Sequence, residues 1–383
     1  MALLDVVWCP ERDLRTAAAL RRRYRLLDTT RGLAAIAVLI WHYQHFYYEG
    51  TFNPINAMTR HQQPLYTLIS PLYHYGYFGV RYFWMLSGFV FTITYLSRPV
   101  GGSEFVIRRF ARLYPLHFVT FIIVAALQMI LLHVNGRFSI YPYNDAYHFV
   151  LNIFMITAWG FEAGYSFNAP IWSVSIELIV YAAFFFSLSM LRYSPYLTIS
   201  GFLLLGSMLM NIAETKLVGE CFLYFYAGCF IVVLLCRVFS LKRQHRLYLG
   251  GIGAIAGLSL TALLARHSAL VSFEQRATVL SAILITGLGV FEATVPIRTR
   301  VFDWLGHSSY GIYLWHVPIQ LVIILATSLA GTSLIAIASE PSFLIAFTVG
   351  TMAVALLGYL YFEAPAQNLI LVRYLKRAAE APA

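Results

Sequence analysis

Charged side chains are scarce in this chain of 383 residues, 11% against roughly 25% in soluble domains. That shortage excludes an ordinary water-soluble globular protein. Acidic residues are the rarer kind, 17 Asp and Glu against 27 Lys and Arg, which leaves a net charge of +10. Cysteine is limited to Cys9, Cys221, Cys229 and Cys236. None makes a CxxC pair and three share one apolar run as small hydrophobes, so no disulfide framework or thiol metal site is indicated. No metal is expected. The first 28 residues are polar and rich in arginine, and they lack the short apolar region and cleavage site of a signal peptide. No internal repeat or low-complexity linker occurs. The basic residues fall in short loops between hydrophobic runs, which is a topology signal rather than a nucleic-acid footprint.

Hydrophobic residues make up 60% of the sequence and the mean hydropathy is +0.69. Apolar runs of about 20 residues recur along the chain, the length needed to cross a bilayer as a helix. A polytopic, all-α membrane bundle is therefore expected, because helices satisfy their own backbone in lipid. Ten crossings are predicted, at about 29–50, 72–96, 110–134, 172–191, 196–213, 217–239, 247–265, 273–294, 310–331 and 343–363. The stretch 147–161 is apolar but short, an eleventh crossing or a surface helix. With ten crossings and a cytoplasmic N-terminus, 21 basic residues fall inside and five outside, counted on the sequence; an eleventh crossing destroys that bias. The expected organisation is a basic cytoplasmic tail (1–28), one membrane domain (29–365) and a second cytoplasmic basic tail (366–383).

Arg31 and His42 stand eleven residues apart in LLDTTRGLAAIAVLIWH. Eleven residues are close to three helical turns, so both lie on nearly one face, about 16 Å apart along the axis. An ionisable imidazole inside an apolar span is costly enough that function is its default explanation. This spacing suggests an anion held at the membrane edge and chemistry done deeper. In SEFVIRRFARLYPLHF, Arg109 and Arg112 share a face, either as a positive-inside anchor or as a fork for phosphate oxygens. Arg81 lies inside GVRYFWMLSGFVFT, as a structural ion-pair member or part of a polar cavity. Ser87-Gly88 is read as a site of close helix packing.

Asn168, Trp172, Ser173 and Glu177 stand at the outer mouth of the fourth predicted span, in NAPIWSVSIE. Glu177 is a candidate partner for Arg81 or for His42. Trp172 has two readings, an interfacial belt residue or a stacking surface for a sugar. Ser309, Tyr310 and His316 lie in SYGIYLWH, near the cytoplasmic half of the ninth span. Glu363 stands just before Pro365, expected to stop the helix, and is placed to neutralise a rim arginine. His45, His74, His133 and His148 fall near outer interfaces and call for no functional reading.

Taken together, these segments resemble the acyltransferase 3 family of bacterial integral membrane O-acyltransferases, over about residues 25–365. The most specific element is the basic residue, ten intervening residues and histidine, Arg31 through His42. Supporting it are GVRYFWMLSGFVFT, Arg109-x-x-Arg112 before LYPL, NAPIWSVSIE, SYGIYLWH and the terminal FEAP. The resemblance implies an acyl-CoA donor, usually acetyl-CoA, as co-substrate, with no tightly bound cofactor. It implies a catalytic His42, with Arg31, Arg109 and Arg112 near the donor. Arg81 departs from the acidic or neutral residue of many relatives. The bacterial inner membrane is implied as location, and a carbohydrate or glycoside hydroxyl as acceptor. The acceptor is expected to be served by the membrane domain itself or by a periplasmic partner protein, since no outer domain follows the last predicted span.

In the expected reaction, His42 acts as general base towards a sugar hydroxyl or carries the acyl group itself. Asp28 or Glu177 is placed to orient or balance it. A transporter or flippase of a sugar or lipid-linked sugar is the competing class, weakened by the absence of an inverted repeat.

Overall fold

A computed structural model describes residues 8–48, 60–242, 272–295 and 302–380, with isolated positions between 257 and 300. No β-strand occurs among them. The helices run in the order α1 (Pro10–Leu20), α2 (Arg25–His42), α3 (Tyr66–Tyr75), α4 (Gly79–Tyr95), α5 (Gly102–Asn135), α6 (Ala146–Ile153) and α7 (Trp172–Tyr193). Then follow α8 (Pro195–Leu209), α9 (Lys216–Ser240), α10 (Phe273–Thr294), α11 (Asp303–Ala330), α12 (Leu334–Ala338), α13 (Pro341–Gly358) and α14 (Ala364–Glu380).

Six stretches among the described residues are long and apolar enough to cross a membrane: Gly102–Asn135, Ala169–Tyr193, Ala213–Ser240, Phe273–Thr294, Asp303–Ala330 and Pro341–Lys376. Three other predicted crossings fall on shorter elements: α2, the α3–α4 pair, and the 15-residue α8. The crossing predicted at 247–265 lies almost wholly outside the described residues. At 147–161 the helix is α6, only eight residues. That is about 12 Å of rise against a hydrocarbon core of about 30 Å, so α6 is too short to cross.

Pro365 does not end its helix. A π-helical turn over Tyr359–Glu363 joins α13 to α14, which continues to Glu380. Proline lacks an N–H and crowds the carbonyl four residues back. The widened turn just before it accommodates both defects, so the helix continues through Pro365.

The chain divides into two compact units. The first comprises Met1–Arg31, Val80–Val100 and Glu177–Phe302. Within it, α1, α8 and α10 all pack on α9. Backbones come close where Gly88 meets Gly228's helix: a Cβ on Gly88 would strike the Phe225 carbonyl, and one on Gly228 the Met85 carbonyl. Glycine alone permits that approach. The start of α2 is fixed by a carboxylate: Glu292 accepts from the backbone N–H groups of Arg25, Leu26 and Leu27 at 2.6, 3.0 and 3.2 Å. Three of the four orphan donors of a helix N-terminus are thereby satisfied. Arg81 pairs with Glu220 at 2.8 Å, both largely buried, with Glu274 at 3.8 Å.

The second unit comprises Gly32–Gly79, Gly101–Ile176 and Asp303–Ala383. Here α11 packs on α5 and α13, and α14 lies along α5. The core includes Phe121, Val124, Leu131, Ile140, Phe167, Val317 and Leu321. The long excursion between α5 and α7 is pinned by side chains rather than by regular structure. Asn144 accepts from the Phe167 amide at 2.7 Å, and Asn152 donates to Ser166 at 3.0 Å. Asp145 caps α6 through the His148 amide and also meets the His148 ring. Those two bonds, the amide first, hold the Asp145 carboxyl below its ordinary pKa.

Gly228→Ala is expected to lower the thermal stability of the detergent-solubilised protein by about 1–3 kcal/mol, the usual cost of overpacking. Gly287→Ala, where a Cβ meets nothing within 4 Å, is expected to leave it unchanged. Arg81→Met strands the Glu220 carboxylate and is expected to cost about 3–5 kcal/mol. The double variant with Glu220→Met should recover most of that loss in the same unfolding measurement.

Candidate functional site

His42 is the last residue of α2. Its Nδ1 lies 2.9 Å from the Val38 carbonyl, one turn back. A carbonyl can only accept, which puts the proton on Nδ1 and leaves the Nε2 lone pair available as a base. The chain then tightens into a 3₁₀ turn over Tyr43–Tyr47, bringing His45 round to the same place. The His45 ring centre is 5.0 Å from that of His42, and the His316 ring centre is 4.6 Å away. All three imidazoles are buried. His316 contributes from α11, where its Nδ1 lies 3.3 Å from the Ile312 carbonyl and its Nε2 has no hydrogen-bond partner among the described residues.

The second unit also holds several other residues singled out from the sequence. Asn168 donates to the Leu314 carbonyl at 3.0 Å, tying the segment before α7 to α11. Ser173 and Tyr313 share a hydroxyl contact of 2.7 Å, and both hydroxyls reach the Pro170 carbonyl. Trp172 opens α7 and is half-buried. Ser309 donates only within its own helix, to Gly306, while Tyr310 donates to the Leu113 carbonyl at 2.9 Å.

At the other end of α11, Arg112 donates to the buried Glu363 at 2.8 Å and its guanidinium lies 5.8 Å from the Tyr310 ring centre. Arg109 precedes Arg112 by one turn of α5 and is half-buried.

Arg31, Asp28, Arg81 and Glu177 belong to the first unit. Arg31 donates to Asp28 at 2.5 Å, and Arg23 reaches the other Asp28 oxygen at 3.0 Å. Arg81 takes Glu220 as its ion-pair partner, a carboxylate not singled out from the sequence. Glu177 accepts a short hydrogen bond from Tyr181, one turn on in α7.

His45 corrects the sequence reading, which placed it with the unremarked interfacial histidines. Gln320 and Tyr141, which bond it, were also passed over. A signal was present for two of them. His45 follows His42 by three residues, and His316 and Gln320 are four apart on an otherwise apolar helix, the spacing of one face. Tyr141 lies far along the chain and leaves no local trace.

The sequence model of the acyltransferase 3 family, described as an acyltransferase domain, matches residues 24–360. Among curated proteins, the peptidoglycan O-acetyltransferase OatA of Listeria monocytogenes serovar 1/2a (strain ATCC BAA-679 / EGD-e) is 24% identical over 353 residues. That match covers 80% of this chain and 50% of the relative, so the chain spans about half the relative's length. No solved structure matches. With the family's model running through nearly all of both units, the chain belongs to the acyltransferase 3 family.

Proposed function

We propose that this protein is a membrane O-acyltransferase that moves an acyl group, most simply acetyl, from cytoplasmic acyl-CoA to a hydroxyl of a carbohydrate acceptor. The observation that carries the proposal is His42: a buried imidazole whose Nδ1 hydrogen is committed to Val38 and whose Nε2 is left as a base. The relative's description as a peptidoglycan O-acetyltransferase supports a carbohydrate acceptor. The arginines support an anionic donor, since guanidinium forks match phosphate oxygens. In this reading Arg109 and Arg112 hold the nucleotide phosphates of CoA at the cytoplasmic edge, and Arg31 is a further candidate for donor binding. Asn168, Trp172 and Ser173 face the acceptor, and Glu363 keeps Arg112 extended before the donor arrives. Both termini are cytoplasmic, the catalytic body is the membrane domain of 29–365, and the location is a bacterial inner membrane.

The chemistry needs few parts. A sugar hydroxyl is a weak nucleophile at neutral pH, so its proton must leave as its oxygen attacks the thioester carbonyl. His42 Nε2 takes that proton. The tetrahedral adduct then collapses, the C–S bond breaks, and the departing CoA thiolate recovers the proton from the imidazolium. Oxygen has gained the acyl group, sulfur has gained hydrogen, and His42 is unchanged.

His42→Ala is expected to lower acyl transfer by about 10²–10⁴-fold, the usual contribution of a general base, while the protein still inserts and folds. The check is incorporation of label from radioactive acetyl-CoA into envelope carbohydrate; near-normal incorporation removes the assignment. Arg112→Gln keeps a donor for Glu363 but removes the charge. It is expected to raise the KM for acetyl-CoA about tenfold or more, as loss of a charge-assisted hydrogen bond predicts, with a smaller change in kcat.

A further inference from the structure

His42 ends its α-helix and caps the 3₁₀ turn over Tyr43–Tyr47, so its carbonyl takes that turn's first bond with one of two lone pairs. Gln320 donates to the same carbonyl from another helix: its Nε2 lies 2.9 Å from the His42 carbonyl oxygen. Because that oxygen can only accept, the orientation of the Gln320 amide is fixed. Its other end, Oε1, therefore faces His45 Nδ1 at 2.9 Å. An amide oxygen can only accept too, so His45 carries its hydrogen on Nδ1. His45 Nε2 then bears the lone pair, and Tyr141 is placed to donate its hydroxyl there at 3.4 Å. One main-chain carbonyl thus sets the direction of a hydrogen-bond chain running from Tyr141 through His45 and Gln320 to His42. Tyr141, His45 and Gln320 are all buried. His316, four residues before Gln320 on the same helix, lays its ring 4.6 Å from that of His42.

We infer that Gln320 and His45 are positioning residues for His42. Together they fix where α2 stops and so the height and angle at which His42 Nε2 meets the reacting groups. Neither is assigned contact with donor or acceptor. The inference rests on the reading of His42 as the general base. It separates from two simpler roles. If His45 only fills space, an apolar side chain of similar size replaces it. If His45 moves protons, a side-chain amide cannot replace it. If it positions, an amide N–H in place of Nδ1–H suffices.

The test uses the full-length protein in native membranes, with radiolabelled acetyl-CoA as donor and the cell envelope as acceptor. Gln320→Leu and His45→Leu are expected to lower apparent kcat about 10–100-fold, in line with small misplacements of a catalytic group. The KM for acetyl-CoA should stay within about twofold, the sign that donor binding is untouched. His45→Asn, whose amide N–H reaches Gln320 Oε1, is expected to retain most of the wild-type kcat. Full activity in His45→Leu overturns the inference, as does His45→Asn falling as far as His45→Leu. Should Gln320→Leu fail to accumulate, the two His45 variants decide alone. His42→Ala run alongside separates the failures. An active His42→Ala removes the base itself, whereas an inactive one beside an unimpaired His45→Leu removes only the positioning role.

Discussion

An α-helix advances 1.5 Å per residue, and that rise sets how far His42 lies from Arg31 along one unbroken helix, Arg25–His42. The spacing is about 16 Å. A helix with no proline or glycine gap between these two positions except Gly32 gives the chain little freedom to change it. Both ends of the rod are anchored. The Glu292 carboxylate gathers three backbone amides at its start, and Gln320 donates to the carbonyl of its last residue.

Polar groups inside an apolar body are tolerated only when partnered, and this structure meets that demand with long-range side-chain contacts. Arg81 has Glu220, Arg112 has Glu363, and Arg237 lies 3.6 Å from Asp13. Each couples distant parts of the sequence. Removing one partner is costlier than removing both, because the cost lies in the stranded charge. The histidine cluster differs in kind. His42, His45 and His316 meet one another, main-chain carbonyls and an amide. Neutral hydrogen-bond partners of this sort orient an imidazole without fixing its charge, which suits a group that takes up and returns a proton in each cycle.

Much of the architecture was legible in the sequence because bilayer thickness and helical rise convert run length directly into elements. Nine of the ten predicted crossings fall on described helices, within a few residues at most ends. The misreading at Pro365 has a local cause: proline cannot donate and so reads as a stop, but a π-helical turn absorbs the defect. The apolar stretch 147–161 was ambiguous on hydropathy and decided against crossing by charge, and its helix is eight residues long. At the site, Arg31, His42, Arg112 and Glu363 carried readable signals: an intramembrane ionisable group, a fixed spacing, a lone acid near a basic rim. Tyr141 carried none, since its meaning depends on which segments lie side by side, and the four-residue spacing of Gln320 from His316 was passed over. Arg81 was visible as an intramembrane cation, but its partner Glu220 was not.

The central claim is that the Arg109–Arg112 pair meets the donor from the cytoplasmic face. Labelling of single cysteines by a membrane-impermeant thiol reagent tests it most directly, in a variant from which Cys9, Cys221, Cys229 and Cys236 have been removed. Cysteines placed at 109 and 112 are expected to react only when the reagent has access to the cytoplasmic side, and acetyl-CoA should protect both. Labelling of 109 and 112 from the outer side alone would contradict the account.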